Sequence, residues 1–508
     1  MKKNGILNTL FSVSGLILLG KIFGFLKQLY VAANFGTTME TDVISLTEGF
    51  IANTQYLLVQ VLLTSFTAVY IHIHEQDKEA AQRFTADTLK AFSLIVVLIV
   101  TLIVLLNKPI AHLLAPSYSP KMTLRVAFYL RILAPVLVLF VWIAVFHAIL
   151  NSHERFIPGE MTSIIQSVIT VLLVSLIGRR IGPATLVVAL LVYTLINAMY
   201  LGFSARKYLG WSWNNPFRNE EIKTLMRLAG PLVLGYAMIY INQQVDKILT
   251  TGLEAGTVTA MGYAAVLSNL VSTFIVTFCS ILFTYVTSAI AKNETKRAAE
   301  LSSHSAFLLG VAFLPISIIS VIESDDIVRI AFGRGAFDEN SIRIGAAALR
   351  GYAFTFVPLA LREVFSRLSY GYQDSKHPML NSSINIVFNI LLSVALVKPL
   401  GVFGVTLASS VSVAICAVLN TVSVQKLNHE FRLVWLLRRL PWVMAGGAVC
   451  AGTAYVCAMK LSEGQALPRF LAVTACALIS FFLIMSPLLY QTCIRDDGLR
   501  IFGIQIKK

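Results

Sequence analysis

Residues 6–33 read ILNTLFSVSGLILLGKIFGFLKQLYVAA, an almost unbroken apolar run interrupted by Lys21 and Lys27. About 20 apolar residues suffice for a helix to cross roughly 30 Å of hydrocarbon, so this run is long enough to span a bilayer. A cation at bilayer depth costs about 2.5–3.5 kcal/mol on insertion scales, so it is rarely kept without a partner or a wet cavity. The segment therefore predicts a transmembrane helix beside a polar pathway.

Runs of this kind recur to the end of the 508-residue chain. The composition is 56% hydrophobic and 13% charged, with a mean hydropathy of +0.75. Soluble domains carry about twice that charge. A membrane β-barrel would show short alternating segments instead. The sequence predicts an all-α polytopic membrane protein. Fourteen spans are expected, centred near Gly20, Leu58, Val97, Val138, Ile169, Ala189, Ile239, Phe274, Val311, Ala360, Phe388, Val411, Val449 and Ala477.

Loop charge sets the expected orientation. Lys2, Lys3, Lys78, Arg83, Arg206, Lys207, Arg218, Lys223, Arg227, Lys292, Lys296, Arg297, Lys426, Arg432, Arg438 and Arg439 fall on one side. The tail adds Arg495, Arg500, Lys507 and Lys508. Lys121, Arg125, Arg179, Arg180 and Arg334 fall on the other. The bias predicts both termini in the cytoplasm. It also accounts for much of the +15 net charge, which is spread over many short loops and does not form a nucleic-acid surface. The N-terminal run is too long, and too interrupted by lysines, for a cleaved signal peptide. Six cysteines (279, 416, 450, 457, 476, 493) lie in or beside spans without a CxxC pair, so they imply no metal or disulfide framework.

The longest polar interruption before the tail, Ser204–Arg227, leaves six spans before it and eight after. This suggests a duplicated architecture of six plus six spans with two appended, a plan that places a transporter's substrate between the halves. The expected divisions are 1–210, 211–430 and 431–508. The segment Glu75–Thr88 is expected on the cytoplasmic side. Ser324–Asn340 is expected as an external loop with a turn at Gly333-Arg334-Gly335.

Inside the membrane, three constellations stand out. In the first hairpin, residues whose numbers sum to about 76 share a depth if the two helices run antiparallel. Lys27 then meets Glu48, and Lys21 meets Asn53-Thr54-Gln55. Gly20 and Gly24 form a GxxxG pair that permits close helix approach. A cationic cavity suits an anionic ligand, and a pyrophosphate-bearing lipid is the natural candidate for a polar head crossing a bilayer. A carboxylate or a nucleotide sugar also satisfies the charge. The second constellation is Asn242-Gln243-Gln244-Val-Asp246-Lys247 with Asn385, Asn389 and Thr406, which offers oxygen ligands for a hard monovalent cation. Pairing of Asp246 with Lys247 is the plainer alternative. The third is Arg362-Glu363 with Arg367, where Glu363 and Arg367 can pair at i,i+4. His72, His74 and Glu75 are not expected to bind zinc, and His377 is expected to be solvated. There is no Walker A motif, so no ATP hydrolysis and no enzymatic function are expected.

At these residues the chain resembles the MurJ (MviN) family, the lipid II flippase group of the multidrug/oligosaccharidyl-lipid/polysaccharide exporter superfamily. The matching stretches are Gly24-Phe25 with Phe35-Gly36 and Asp42, then Ile149–Pro158, then Asp246 through Tyr263-Ala264. They continue with Arg334–Asp338, Arg367–Pro378, Asn385, Asn389, Gly401 and Gly404. The resemblance implies two six-helix lobes plus a final helix pair that can line a groove for a lipid tail. It implies alternating access in the bacterial cytoplasmic membrane. The cargo implied is an undecaprenyl-pyrophosphate-linked saccharide for peptidoglycan or surface polysaccharide, moved to the outer leaflet. Substrate-binding residues would include Lys21, Lys27, Asp42, Glu48, Gln55 and Arg367. A sodium site would use Asp246, Asn385, Asn389, Val402 and Thr406, so sodium or the membrane potential could drive transport, with no organic cofactor. Partners would be the lipid-linked saccharide, membrane lipids and cell-wall or polysaccharide synthases.

The departures bear on cargo. Lysines stand where the family has arginines, Gln55 and Val266 stand at expected cavity cations, and Asn389 stands where an acid is expected. A capsule, exopolysaccharide or teichoic precursor is therefore an alternative to lipid II. A cation-coupled small-molecule exporter and a non-transporting membrane scaffold are the alternatives in function.

Overall fold

The computed structural model describes residues 3–213, 215–431, 433–461 and 465–491, with side chains from Val13 onward. Lys2, Asn214, Arg432, Cys493 and the basic tail from Arg495 to Lys508 lie outside the described residues, as does the side chain of Lys3. All regular structure among the described residues is helical. The chain divides into two compact units, residues 1–259 with 334–337, and residues 260–333 with 338–508.

Unit 1 holds α1 (Lys3–Phe35), α2 (Met39–Gln76), α3 (Lys78–Leu105), α4 (Asn107–Leu114), α5 (Pro120–Leu133), α6 (Val136–Ser152), α7 (Ile157–Ile181), α8 (Thr185–Ala205) and α9 (Glu220–Thr250). Helix α2 is its centre. It packs against α6 on one side and α9 on another, while α1 packs on α7. The core between them is formed by Ile44, Leu46, Leu62, Phe66, Phe84 and Phe140. The sequence expectation ended the first lobe at 210. The compact unit extends to Thr259 because α9 lies along α2.

Unit 2 holds α10 (Thr257–Ala291, its first turn counted with unit 1), α11 (Thr295–Ile322), α12 (Ser324–Phe332), α13 (Glu339–Ala353), α14 (Phe356–Gly371), α15 (Lys376–Leu427), α16 (Leu433–Lys460) and α17 (Ala466–Tyr490). Phe313, Phe356, Leu359 and Phe365 build one core. Phe307, Cys450, Phe481 and Met485 build another that seats the final pair on α11.

Helix ends follow the local sequence. Thr38 forms a capping box with Thr41 at the start of α2, and Asp77 accepts from Glu79 N–H to start α3. Asp77 thereby interrupts the polar Glu75–Thr88 stretch. The expected external loop Ser324–Asn340 contains α12, a nine-residue amphipathic helix that buries Val328 and Phe332. Its turn follows, and Arg334–Phe337 then joins unit 1, where Ala336 N–H donates to Ala33 C=O at 2.8 Å. Gly36, at φ +57°, leaves no room there for a side chain, since a Cβ would strike the Ala336 carbonyl.

Among the described residues eleven helices are long and apolar enough to cross a membrane. The number is twelve if α5 and α6, which meet at 44°, form one span. The expectation of fourteen differs because Ile157–Tyr208 and Lys376–Leu427 each count once in that total. Within α15 the backbone leaves helical geometry at Gly401 (φ +59°). Asn389 Nδ2 donates to Ser409 Oγ at 2.9 Å, and Asn381 Nδ2 to Asn420 Oδ1 at 2.8 Å. These pairs straddle residue 400, so the two arms of α15 run back along each other. Large apolar side chains such as Leu98, Leu176, Phe274 and Leu483 stand exposed on the outer faces, as lipid-facing positions require.

Candidate functional site

The best-defined polar cluster of unit 1 centres on Glu48. It stands on α2 within electrostatic range of Lys27 from α1 and Lys247 from α9. Tyr193 of α8 also lies near it. Lys247 folds over α2, where its Nζ donates to Ser45 C=O at 3.4 Å. Gly49 makes the room, because a Cβ at that position would meet the Lys247 ammonium. Two lysines thus stand around one carboxylate, a set richer in cationic than anionic groups and so suited to an anion. One turn before Lys247, Gln244 is buried. Its Oε1 accepts from Asn53 Nδ2 at 3.3 Å, and its Nε2 donor has no partner among the described residues. A polar stripe therefore runs between α2 and α9.

Lys27 and Glu48 come together as the hairpin numbering predicts. Lys21 does not share their cluster. It acts on Glu160 of α7, and the neighbouring Gly20 lies so close to α7 that a Cβ would meet Ser163 Oγ. Gly24, the second glycine of the pair, faces open space. Asn53 is engaged by Gln244, and among the described residues Gln55 makes no hydrogen bond to either lysine. Lys247 is the cation that sequence reasoning missed: its neighbour Asp246 suggested a local partner, and only the packing of α9 on α2 reveals Glu48.

Asp42 has a different environment from Glu48, six residues along the same helix. It is 2% exposed, and its carboxylate accepts from Gly256 N–H at 2.7 Å, Thr259 N–H at 2.8 Å and Thr259 Oγ–H at 2.7 Å. It caps the start of α10, where exposed N–H groups favour a negative charge. Its oxygens are committed to that task.

In unit 2, Glu363 accepts from Arg362 at 2.7 Å and from Arg367 at 3.5 Å. The predicted i,i+4 pair forms, with Arg362 as a second partner. The oxygen set divides between the units: Asp246 falls in unit 1, and Asn385, Asn389, Val402 and Thr406 fall in unit 2. In unit 2 the Oδ1 atoms of Asn385 and Asn389 are buried without a partner among the described residues. Thr406 Oγ donates to Val402 C=O and Phe403 C=O at 3.1 Å each and keeps its lone pairs. These oxygens fit a hard cation.

His74 belongs to an aromatic cluster. It lies edge-on to His153 at 4.8 Å, and Tyr70 hydroxyl meets His153 Nε2 at 2.9 Å. His377 pairs with Asp374 at 2.8 Å. A cavity of about 310 Å³ at the α1–α2 turn is lined by Phe35, Glu40 and Arg179, away from the lysine cluster.

Comparison with known proteins decides the family. The model of the family described as "Lipid II flippase MurJ" matches residues 31–472. This chain belongs to the MurJ family. Among curated relatives, "Probable lipid II flippase MurJ" of Borreliella burgdorferi is 23% identical over 422 residues, covering 82% of this chain and 83% of the relative. The protein of the same description from Rhizobium tropici is 25% identical over 467 residues, covering 87% and 85%. In fold, the chain matches "Lipid II flippase MurJ, inward closed conformation" with a TM-score of 0.78 at 18% identity, covering 96% of this chain and all of that one. It matches an inward-facing MATE family transporter of the MOP superfamily with a TM-score of 0.68 at 12% identity, covering 81% and 95%. The family is one of lipid flippases, not enzymes. This MurJ-family chain is accordingly a multi-pass bacterial inner-membrane protein.

Proposed function

We propose that this chain moves an undecaprenyl-pyrophosphate-linked saccharide from the inner to the outer leaflet by alternating access, with lipid II as the first candidate cargo. The observation that carries the reading is the Lys27–Glu48–Lys247 cluster. A pyrophosphate would complement the excess of cationic groups, and Gln244 Nε2 would supply a neutral donor beside it. Lysine holds phosphate as a point charge, without the bidentate geometry of arginine. Lys247 adds a cation to unit 1, which would in part offset the one that the family resemblance expects at Gln55 and so favours lipid II over a less charged cargo. Lys21 would add to the cationic lining of unit 1, and Arg367 would act within unit 2.

Fourteen spans fit this reading. A straight helix of 52 residues would be roughly 78 Å long, far more than one crossing needs. Taking Ile157–Tyr208 as two spans joined at Gly182, and Lys376–Leu427 as two joined at Gly401, brings twelve to fourteen. Both termini then lie on the same side, and the loop charge puts it in the cytoplasm. Asn385, Asn389, Val402 and Thr406 of unit 2 would contribute oxygens to a sodium ion. Asn389 in place of an acid would make that site weak, and the membrane potential is the other energy source.

The test is growth of cells depleted of their native flippase. Wild-type chain should restore growth, while Lys27→Ala and Lys247→Ala should abolish rescue at unchanged membrane levels. Full growth with both alanines would overturn the cationic mechanism. Failure of the wild-type chain to rescue, combined with transport of another polyprenyl-pyrophosphate glycan in vesicles, would reassign the cargo.

A further inference from the structure

The linker Arg206–Asn219 joins α8 to α9, two helices long and apolar enough to cross a membrane, within one compact unit. A chain leaving one span and entering the next must run along the membrane face. This linker is fastened to its own unit. Gln82 Nε2 donates to Lys207 C=O at 3.3 Å, and Asn219 Nδ2 donates to Asp87 Oδ2 at 3.1 Å. Gly210 lies against Gln82 so closely that a Cβ would reach its backbone at 2.8 Å. Pro216 and Ser212 are buried.

From this fastened backbone two tryptophans point outward. Trp211 is 70% exposed and Trp213 is 87% exposed, while Ser212 between them is 5% exposed. Residues 211–213 are non-helical, and the alternation is that of an extended strand, where successive side chains take opposite faces. Both indoles therefore share one outward face, with ring centroids 5.3 Å apart. Basic residues flank them. Arg206 lies over the Phe203 ring at 4.0 Å, and Lys207 and Arg218 are exposed. Phe217, 41% exposed, continues the apolar face.

We propose that this linker is a fixed anchor that reads anionic phospholipid at the membrane surface: Trp211 and Trp213 enter the headgroup layer while Arg206, Lys207 and Arg218 engage lipid phosphates. Indole is suited to this depth because its ring is apolar and its N–H is polar. Holding two indoles in water would be unfavourable, and the pinned backbone prevents them from folding inward. The flanking cations choose the cover. A negatively charged lipid surface complements them, and topology already places the linker beside one. The anchor would hold the α8–α9 junction of unit 1 at a set height, and α9 carries Lys247. The inference needs the chain to span a membrane. It does not depend on the cargo.

The test uses the full chain with Trp142, Trp435 and Trp442 changed to Phe, so that Trp211 and Trp213 alone report. The protein is reconstituted into phosphatidylcholine vesicles with or without phosphatidylglycerol, using lipids brominated along their chains. Bromine should quench the indoles, and phosphatidylglycerol should strengthen quenching. Lys207→Gln or Arg218→Gln should raise the phosphatidylglycerol fraction needed for half-maximal quenching, by about fivefold at most for each charge near an anionic surface. Water-like, unquenched emission in both vesicle types would overturn the proposal. So would quenching that ignores phosphatidylglycerol, or indoles that become shielded only on adding soluble cytoplasmic protein. Trp211→Ser with Trp213→Ser, purified and folded, should lose any dependence of transport on phosphatidylglycerol.

Discussion

Each unit keeps one glutamate between two cations, and the two clusters are built in opposite ways. Glu363 takes both partners from its own helix, Arg362 and Arg367 of α14. Glu48 takes its partners from two other helices, Lys27 from α1 and Lys247 from α9. The first is a local ion pair that survives as long as α14 is helical. The second exists only when three helices are in place, so any movement of α1 or α9 against α2 changes it. A site assembled from several helices can open and close around a ligand. A cluster on one turn is better suited to holding its charges in place within that helix.

The largest effect should follow loss of the shared carboxylate. Glu48→Gln leaves two half-buried ammonium groups without their counter-charge, and the cost of about 3–5 kcal/mol for breaking a fully buried pair is the upper bound. A large fall in thermal stability in detergent should result. Adding Lys247→Met should recover much of it, since it removes one unpaired charge. If Glu48→Gln is as stable as wild type, water must already solvate the cluster and the three-helix account fails.

Asp42 sharpens the contrast within α2. Its three accepted hydrogen bonds all serve the start of α10. Asp42→Ala should cost about 2 kcal/mol or somewhat more, the range for a charged acceptor of buried N–H groups. The loss should appear in thermal stability, with cargo affinity unchanged in the folded fraction. A selective loss of cargo binding at full stability would return Asp42 to the substrate site.

A third cluster lies outside the spans and titrates. Glu323 is 1% exposed and lies against the Asp326 carboxyl. Burial first, and then Asp326, push its carboxyl up to about 7; Asp325 adds to this, and Arg469, 3.2 Å from Asp326, opposes it. Nearby Arg350 is engaged by Ser324 and Asp325, and Arg329 by Glu339. The folded pKa is raised, so Glu323 favours the fold below its ordinary range and loses that contribution as pH rises through about 7. The melting temperature should fall by a few degrees between pH 5 and 8, and Glu323→Gln should flatten the change. A flat wild-type profile would show that the carboxyl is solvated.

The contrast also explains what the sequence could reveal. Local relations were legible. Glu363 and Arg367 pair because four residues make one helical turn, and Lys27 meets Glu48 because a short turn fixes the depth of both. Apolar runs near Ile169, Ala189, Phe388 and Val411 fall in α7, α8 and the two arms of α15. Relations between distant helices were not legible. Nothing in the run Asn242–Lys247 says that α9 lies on α2, or that α1 packs on α7 and hands Lys21 to Glu160. The nine residues of α12 were too few for their periodicity to stand out from a loop.

The smallest effect should be at Glu363. Its side chain is 18% exposed, and Arg362 and Arg367 are 27% and 20% exposed. Glu363→Gln keeps an acceptor for both guanidinium groups, and their partial exposure lets solvent screen the charges that remain. The cost should fall between the exposed and buried limits and near the lower, roughly 1 kcal/mol. Arg367→Gln tests whether this cluster is only local. If its role is local to α14, Arg367→Gln should leave growth intact, because Arg362 still balances Glu363 at 2.7 Å, and adding it to Glu363→Gln should relieve that variant by removing one of its two unpaired cations. If Arg367 lines the cargo path, Arg367→Gln alone should abolish growth at unchanged stability. That outcome would make the two glutamate clusters equivalent in function despite their different construction.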